Sequence, residues 1–360
     1  MRLLLAITEL GLGGAEHVVL DLERGAASAG HAVLVAAAGG PLEERASSFA
    51  RLPAKGRMPL ALARSGRRLA AVTRSFRPDV LHAHNPRMTA LATAAAAVPR
   101  GRRPQLLATY HGVPPGRARA AARLLRVADH VVCVSARLVE ELEERGIPRR
   151  RLTIIPNGVS ASPELEAPQR ARLDGEFGLG DGPVVTAVGR LVPQKAHHRL
   201  IDAAATVHAE LPDTRFLIVG DGPLRGELEE RVRATGLEGV VILTGPRADA
   251  RLLIARSDVV AFSSDWEGLS LVALEALAAG VPIVSTKVAG ADEVLESGAG
   301  IAVPHSASAL ADAIAGLLGD PARRRAMGDA GRCLHRERFS TERMVERYLT
   351  LYDRSVAGTL

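Results

Sequence analysis

Short apolar runs alternate with amphipathic helical patterns along the whole chain, and few folds are compatible with this alternation. In the first half the apolar runs cover residues 3–8, 32–37, 79–84, 105–110, 130–135 and 152–155. Strands that are apolar throughout are typical of parallel sheets that are covered by helices on both faces. The sequence therefore predicts an α/β fold built on a parallel sheet.

The pattern restarts after a polar, proline-containing stretch at about 160–182. The later apolar runs cover residues 184–188, 216–219, 240–243, 259–262 and 283–285. A chain of 360 residues also suits two domains of ordinary size. We therefore predict two doubly wound, Rossmann-like domains at 1–165 and 183–336, which face each other across a cleft. The linker is placed at 166–182, and a helix at 337–360 is expected to pack back on the first domain.

Composition excludes several classes of protein. Aromatic residues make up only 3% of the chain, which argues against base-stacking surfaces, so no nucleic-acid partner is expected. The two cysteines, Cys133 and Cys333, are too few for a disulfide framework or a zinc site. The apolar start at 3–7 is too short for the core of a signal peptide, and no apolar run reaches the length of a membrane span. A cytoplasmic protein is therefore expected.

Positive charge is concentrated in the first half of the chain. Residues 51–126 contain 16 basic residues and one acidic residue, Asp79. An anionic partner, either an acceptor or a lipid surface at the inner face of the membrane, is one interpretation of this segment. The alternative is compositional bias on a solvated surface, since 43 of the 46 basic residues are arginine.

Two glutamates in the second half, Glu267 and Glu275, are eight positions apart. Glu267 precedes a glycine in a loop, and Glu275 lies inside a helical pattern that ends at Gly280. Free amides at a helix start bind anions, and flanking carboxylates bind polyol hydroxyls. Arg190 and Lys195 follow the strand at 184–188, from which both can reach a diphosphate. The combination suits a sugar carried on a diphosphate, although two solvated charges remain the alternative reading of Arg190 and Lys195.

The first half offers weaker signals. The turn at 11–14 is rich in glycine, but Glu16 stands at the third glycine position of the dinucleotide fingerprint. His111 follows a strand and is expected to point at the cleft, with a structural role as the alternative. His82 and His84 share one face of a strand, but no third ligand is evident, so no metal is expected. The sequence has no Asp-x-Asp motif, no P-loop and no Gly-x-Ser-x-Gly motif.

Taken together and in order, five motifs resemble those of the retaining glycosyltransferases of family 4. They are Gly13-Gly14-Ala15-Glu16, Pro156-Asn157-Gly158-Val159, Val188-Gly189-Arg190 with Lys195, Val219-Gly220-Asp221-Gly222-Pro223, and Glu267-x7-Glu275 with Gly280-Val281-Pro282. The resemblance covers nearly the whole chain and implies the GT-B fold. Two departures concern the identity of the donor: Leu269-Ser270 replaces the commoner Phe-Gly, and residues 287–290 replace Asp-Val-Gly-Gly.

The resemblance implies a role for each motif residue of the second domain. Arg190 and Lys195 bind the donor diphosphate, Glu267 contacts hydroxyls of the donor sugar, and Glu275 binds the ribose hydroxyls. The donor sugar and phosphates are further held by backbone amides from Gly268, Leu269, Ser270 and Leu271.

From the first domain, Gly13 and Gly14 are implied to approach the donor phosphates, and His111 to lie near the reaction centre. The implied activity is transfer of a sugar from a UDP- or GDP-sugar to an acceptor that is anionic or lipid-linked. The anomeric configuration is retained by front-face displacement, without a cofactor or metal, and closure of the domains completes the site. The alternatives are a nucleotide-sugar epimerase of the same fold and a non-catalytic nucleotide-sugar-binding protein.

Overall fold

The structure is a computed structural model that describes residues 1–53, 59–97, 103–288 and 290–360. The chain forms two compact units. Unit 1 contains Met1–Gly158 and Thr341–Leu360, and unit 2 contains Val159–Ser340. Parts of the basic segment at 51–126, namely residues 54–58 and 98–102, and Ala289 of the motif at 287–290 lie outside the described residues.

Unit 1 is built on a parallel seven-stranded sheet in the order β3-β2-β1-β4-β5-β6-β7. Its strands are β1 (Arg2–Ala6), β2 (Ala32–Ala37), β3 (Phe49–Arg51), β4 (Val80–Ala83), β5 (Gln105–Tyr110), β6 (His130–Cys133) and β7 (Leu152–Ile154). The accompanying helices are α1 (Gly14–Ser28), α2 (Pro59–Phe76), α3 (Pro86–Ala96), α4 (Ala118–Leu125) and α5 (Ala136–Glu144). Leu3, Leu4 and Leu5 of the central strand β1 are fully buried, because side chains on both faces of the strand are covered.

Unit 2 is built on a parallel six-stranded sheet in the order β10-β9-β8-β11-β12-β13. Its strands are β8 (Val184–Val188), β9 (Arg215–Val219), β10 (Val241–Gly245), β11 (Val259–Phe262), β12 (Ile283–Thr286) and β13 (Gly300–Val303). Its helices are α6 (Ala167–Phe177), α7 (His197–Glu210), α8 (Arg225–Ala234), α9 (Ala250–Arg256), α10 (Leu271–Ala279), α11 (Asp292–Val294), α12 (Ala307–Leu318) and α13 (Pro321–Leu334). The α/β class with parallel sheets is confirmed.

Three elements differ from the sequence prediction. The short strands β3 and β13 were not predicted, and residues 166–182, predicted as a linker, contain α6. This helix begins with a capping box between Glu166 and Gln169 and ends at Gly178, whose φ is 58°. Only Leu173 of α6 is buried, so the helix lacks the apolar stripe by which an amphipathic helix is recognised.

The last helix, α14 (Thr341–Ala357), belongs to unit 1. Its Tyr348 and Tyr352 are buried, and their hydroxyls join a hydrogen-bond network with the sheet. The Tyr352 hydroxyl lies 2.7 Å from Nδ1 of His82, and the Tyr348 hydroxyl lies 3.0 Å from Oγ1 of Thr109. The helix was expected to begin at 337, but residues His335–Phe339 form a separate π-helical turn in unit 2.

Each sheet has a point at which the strand order reverses. In unit 1 the reversal lies between β1 and β4, and in unit 2 it lies between β8 and β11. Loops at the carboxyl ends of the strands on either side of such a reversal diverge and leave a crevice, where doubly wound sheets bind their ligands. The segments that follow these four strands are therefore the candidate ligand-binding regions of the two units.

Candidate functional site

The loop that follows β8 is held in place by glycines of the next loop in the sheet. Gly220 has a φ of 140°, and a Cβ atom on it would lie 2.0 Å from the carbonyl oxygen of Gly189. Leu191 also donates its amide to the carbonyl oxygen of Asp221 at 2.9 Å. The glycine motif at 219–223 thus supports the segment that carries Arg190 and Lys195.

Lys195 and Glu267 form an ion pair at the strand reversal of unit 2. The Nζ of Lys195 lies 2.5 Å from Oε1 of Glu267, and the two side chains are only 15% and 10% exposed. The hydroxyl of Ser264 donates to the same carboxylate oxygen at 2.6 Å. A cation and a carboxylate that come from loops after neighbouring strands are therefore brought together in a sheltered position, where charge–charge attraction is less screened by water.

Arg190 lies in the same loop but is exposed. Its guanidinium has no side-chain partner among the residues that the structure describes. The loop after β11 is fixed by Gln194, whose carbonyl accepts the amide of Asp265 at 2.9 Å and whose side chain donates to the carbonyl of Trp266 at 2.9 Å. Arg190 is thus an exposed cation in the same loop as the sheltered Lys195–Glu267 pair, a suitable arrangement for an anionic ligand.

Helix α10 begins directly after this loop. Ser270 is its N-cap residue, but the Ser270 side chain makes no capping hydrogen bond. Glu275 is the fifth residue of the helix, and its Oε1 lies 3.7 Å from Nε of Arg251. The helix ends at Gly280, whose φ is 70° and where a Cβ atom would overlap the guanidinium of Arg332. The positive end of the α10 dipole therefore points toward the loop that carries Glu267.

A pocket lies behind the start of α10. It is lined by Phe262, Glu267, Gly268, Ser270, Ala273, Ile283, Ser285, Val288, Gly290, Ala291, Val294 and Leu295. Gly290 packs so tightly against Gly268 that a Cβ atom on it would lie 1.8 Å from the Gly268 carbonyl oxygen. Glycine at position 290 thus determines where the backbone of Gly268 lies.

The glycine-rich turn of unit 1 follows β1. Gly13 is the N-cap residue of α1 and Gly14 is its first residue. A Cβ atom on Gly13 would lie 2.5 Å from Oε2 of Glu16, a carboxylate in the first turn, where the helix dipole favours negative charge. Glu16 thus fills the space beside Gly13, a contact that was not predicted from the sequence.

Three histidines cluster at the carboxyl ends of β4 and β5. The ring centroids of His82 and His84 are 4.0 Å apart, and those of His84 and His111 are 6.2 Å apart. Both ring nitrogens of His82 are bonded to hydroxyls, those of Tyr352 and Thr109. In the described part of the chain, neither nitrogen of His84 has a hydrogen-bond partner. Burial lowers the pKa of His82 to about 3 and that of His111 to about 4, so these rings are neutral at pH 7.

The structure brings most of the predicted residues together within each unit. The carboxyl edge of the unit 2 sheet carries Arg190, Lys195, Glu267, Gly268, Leu269, Ser270, Leu271 and Glu275. The carboxyl edge of the unit 1 sheet carries Gly13, Gly14 and His111. Sequence reasoning missed the contacts made by Ser264, Gly290 and Arg251, because no local pattern marks residues that meet only through the fold.

The described ranges contain no group of three histidine, cysteine, aspartate or glutamate residues that could hold a metal ion. No helix within these ranges is both long and apolar enough to span a bilayer.

Comparison with known protein families gives two matches that together cover most of the chain. Residues 170–333 match the family described as "Glycosyl transferases group 1", and residues 12–162 match "Glycosyltransferase Family 4". The first range contains the Lys195–Glu267 pair and α10, and the second contains Gly13, Gly14 and His111.

Individual relatives agree with these matches. The chain is 36% identical over 249 residues to a GDP-mannose-dependent α-(1-6)-phosphatidylinositol monomannoside mannosyltransferase of Mycolicibacterium smegmatis. The aligned residues make up 63% of this chain and 64% of that protein. It is 31% identical over 296 residues to the lipopolysaccharide core biosynthesis glycosyltransferase LpsD of Rhizobium meliloti, covering 81% of this chain and 79% of that protein.

Among solved structures, that of Anabaena Alr3699/HepE in complex with UDP and glucose has a TM-score of 0.86 and 23% identity. The superposition covers 98% of this chain and 99% of that one. The folds of both units therefore match that structure. The two parallel sheets, the order of the motifs and these matches show that the chain belongs to the group 1 glycosyltransferases of family 4, which have the GT-B fold.

Proposed function

We propose that the protein transfers a sugar from a UDP- or GDP-sugar to an acceptor with retention of the anomeric configuration. The observation that carries the proposal is the sheltered Lys195–Glu267 pair, which lies beside the exposed Arg190 and the start of α10. Cations and a helix start suit a diphosphate, and a carboxylate suits sugar hydroxyls. The names of two similar proteins support a nucleotide donor, because one depends on GDP-mannose and the other was solved with UDP and glucose.

The proposed chemistry depends on the charge that develops as the sugar leaves the diphosphate. Arg190, Lys195 and the amides at the start of α10 stabilise the negative charge on the departing phosphate. Glu267 then hydrogen-bonds the hydroxyls of the sugar, and the departing phosphate helps to deprotonate the acceptor on the same face. His111, neutral at pH 7, contributes hydrogen bonds near the reaction centre rather than charge.

A donor screen tests the proposal. Ligands that bind only the folded state raise its stability, by about 2.7 kcal/mol at a concentration of one hundred times Kd. We expect a thermal shift with UDP- or GDP-sugars, and NMR of the transfer product should show the donor's anomeric configuration. An inverted product, or no shift with UDP-, GDP- or ADP-sugars, contradicts the proposal. Turnover of the sugar nucleotide without an acceptor indicates an epimerase, and binding without turnover indicates a non-catalytic protein.

Metal independence is the first prediction. Because side-chain cations and helix amides are proposed to stabilise the diphosphate, the enzyme should retain most of its transfer activity in excess EDTA. Initial rates with and without EDTA provide the measurement. Activity that disappears in EDTA and returns with magnesium or manganese shows that a divalent cation takes part.

The second prediction concerns Gly290. In Gly290→Ala the new Cβ would collide with the carbonyl oxygen of Gly268, so the loop that carries Glu267 must move. We expect donor KM to rise about tenfold or more, which corresponds to about 1.4 kcal/mol. The matched control is Gly226→Ala in α8, where a Cβ atom has nothing within 4 Å. Equal donor KM values for the two variants contradict the role of Gly290.

We further propose that the basic surface of unit 1 receives an anionic acceptor or the membrane that contains it. Helix α4 buries Ala118, Ala121, Ala122 and Leu125, and its exposed face carries Arg119 and Arg123. Leu124 and Val127 are exposed beside them, by 38% and 42%. Arginines interleaved with exposed apolar side chains are typical of helices that contact anionic lipid surfaces.

Salt dependence is the third prediction. Screening acts over about 8 Å at physiological ionic strength, so attraction between this surface and an anionic vesicle weakens as salt rises. We expect co-sedimentation with phosphatidylglycerol vesicles at low salt, less at moderate salt, and none with phosphatidylcholine vesicles. Donor affinity should change less over the same range. If neither anionic vesicles nor the true acceptor shows salt-sensitive binding, the arginines are a solvated surface.

A further inference from the structure

Arg251 of α9 is held by the chain segment that enters unit 2. Its Nη1 donates to the hydroxyl of Ser160 at 2.9 Å, and its Nη2 donates to the carbonyl oxygens of Ser160 and Ala161, both at 2.7 Å. These three bonds use the two terminal nitrogens of the guanidinium. Since the guanidinium is planar, they also fix the direction of the remaining nitrogen, Nε.

The Nε edge of Arg251 faces Glu275. The distance from Nε to Oε1 of Glu275 is 3.7 Å, and Nε itself is buried and makes no hydrogen bond with the described residues. Glu275 stands on α10, whereas Arg251 stands on the neighbouring α9. An anchored guanidinium therefore lies beside the carboxylate that the family resemblance implies for ribose binding, at a distance that attracts the carboxylate without a hydrogen bond.

A glutamate side chain has three rotatable bonds, and a hydroxyl ligand is bound well only when the carboxylate is already oriented. Arg251 supplies such an orientation, because its own position is set by Ser160 and Ala161 rather than by Glu275. Arg251 thus connects the backbone at 160–161 to the carboxylate of Glu275. Replacing the arginine removes this connection but leaves Glu275 in place.

We propose that Arg251 is a positioning residue that orients Glu275 toward the ribose hydroxyls of the donor nucleotide, an inference that rests on the proposed function. Arg251 then acts on the ribose only through Glu275. Its removal weakens the distinction between a ribonucleotide and its 2′-deoxy counterpart. A merely structural role for Arg251 predicts something different, namely equal loss of affinity for both nucleotides.

The test is a double-mutant cycle read out by calorimetric Kd values for UDP and 2′-deoxy-UDP, and for GDP and 2′-deoxy-GDP. A site built to bond a hydroxyl rejects the analogue that lacks it. We expect the parent protein to prefer the ribonucleotide by about tenfold, and Arg251→Gln to reduce this preference at least threefold. In a Glu275→Gln background the Arg251→Gln change should have no further effect on the preference.

The matched control is Arg324→Gln. Arg324 donates to two backbone carbonyls, those of Leu317 and Leu318, and lies 3.5 Å from a carboxylate oxygen of Asp258, so it makes the same kind of contacts elsewhere in unit 2. This variant should keep the parent's preference. If Arg251→Gln does not unfold cooperatively, Arg251→Lys, which loses the fork but keeps the charge, takes its place with the same threshold.

The outcomes separate the inference from the proposed function. If the parent binds neither UDP nor GDP, the proposed function fails. If the parent binds one of them and prefers the ribonucleotide, but the Arg251 variants keep that preference or lose it additively with Glu275→Gln, only the role of Arg251 is overturned. The role of Arg251 is also overturned if the parent protein binds the ribonucleotide and the 2′-deoxynucleotide equally well, since Glu275 then makes no hydrogen bond with the 2′-hydroxyl.

Discussion

Replacing Lys195 by alanine is expected to reduce turnover at saturating donor by about a hundredfold or more, which corresponds to about 2–4 kcal/mol of transition-state stabilisation. Two effects act together in this variant. The diphosphate loses a cation, and Glu267 loses the partner that lies 2.5 Å from its carboxylate. Arg190→Ala removes only the first contribution, because Arg190 has no side-chain partner among the described residues, so its effect should be large but smaller.

Steady-state kinetics of the two variants provide the measurement, with Arg233→Ala as the control. Arg233 is exposed on α8, where it pairs with Glu230, and its loss should leave turnover unchanged. The Lys195→Ala and Glu267→Ala effects should also be less than additive, because each change disrupts the same pair. Turnover of either cation variant within a factor of two of the parent contradicts the proposed role.

The largest expected effect on stability is acid destabilisation of unit 1. Burial lowers the pKa of His111 and His130 to about 4 and that of His82 to about 3, and the pKa of His84 lies well below its ordinary value of 6.5. The unfolded chain therefore binds protons below pH 6.5 that the folded unit does not. The stability from the neutral rings is fully present above pH 6.5 and decreases as the pH falls from 6.5 toward 4.

Each pKa unit corresponds to about 1.4 kcal/mol per histidine. The four rings act in the same direction, so the free energy of unfolding of unit 1 should decrease as the pH falls below 6.5. We expect the urea midpoint of unit 1 to fall steeply between pH 7 and pH 5. The decrease in the urea midpoint between pH 7 and pH 5 should be smaller in His84→Leu than in the parent protein. It should be unchanged in His305→Asn, because His305 is exposed. A midpoint that is constant between pH 7 and pH 5 contradicts the prediction.

The parts of the fold that sequence could predict are those in which burial is continuous. β1 and β8 are buried on both faces over almost their whole length and were readily recognised. β3, a short edge strand that ends in the exposed Arg51, and β13, an edge strand in which only Val303 is buried, lack the continuous burial of the central strands. Helix α6 was missed because it buries a single residue, Leu173.

The parts of the site that sequence could not predict are contacts between distant positions. Lys195 and Glu267 each carry a recognisable role, but their pairing depends on β8 and β11 being neighbours. Arg251 looks like an ordinary surface arginine of a short helix until its contacts with Ser160 and Ala161 are known. His111 likewise gains a neighbour, His84, only when β4 and β5 are aligned side by side.

The chain order of the two units has a consequence for synthesis on the ribosome. Unit 2 is one continuous segment, but unit 1 includes α14, which is made after unit 2. Domains generally fold as units while the chain emerges. Until α14 is available, His82 and Thr109 lack their tyrosine hydroxyl partners, so a nascent chain without this helix has an unfinished core. Unit 2 is thus able to fold first, and a fragment that stops at residue 158 is not equivalent to unit 1.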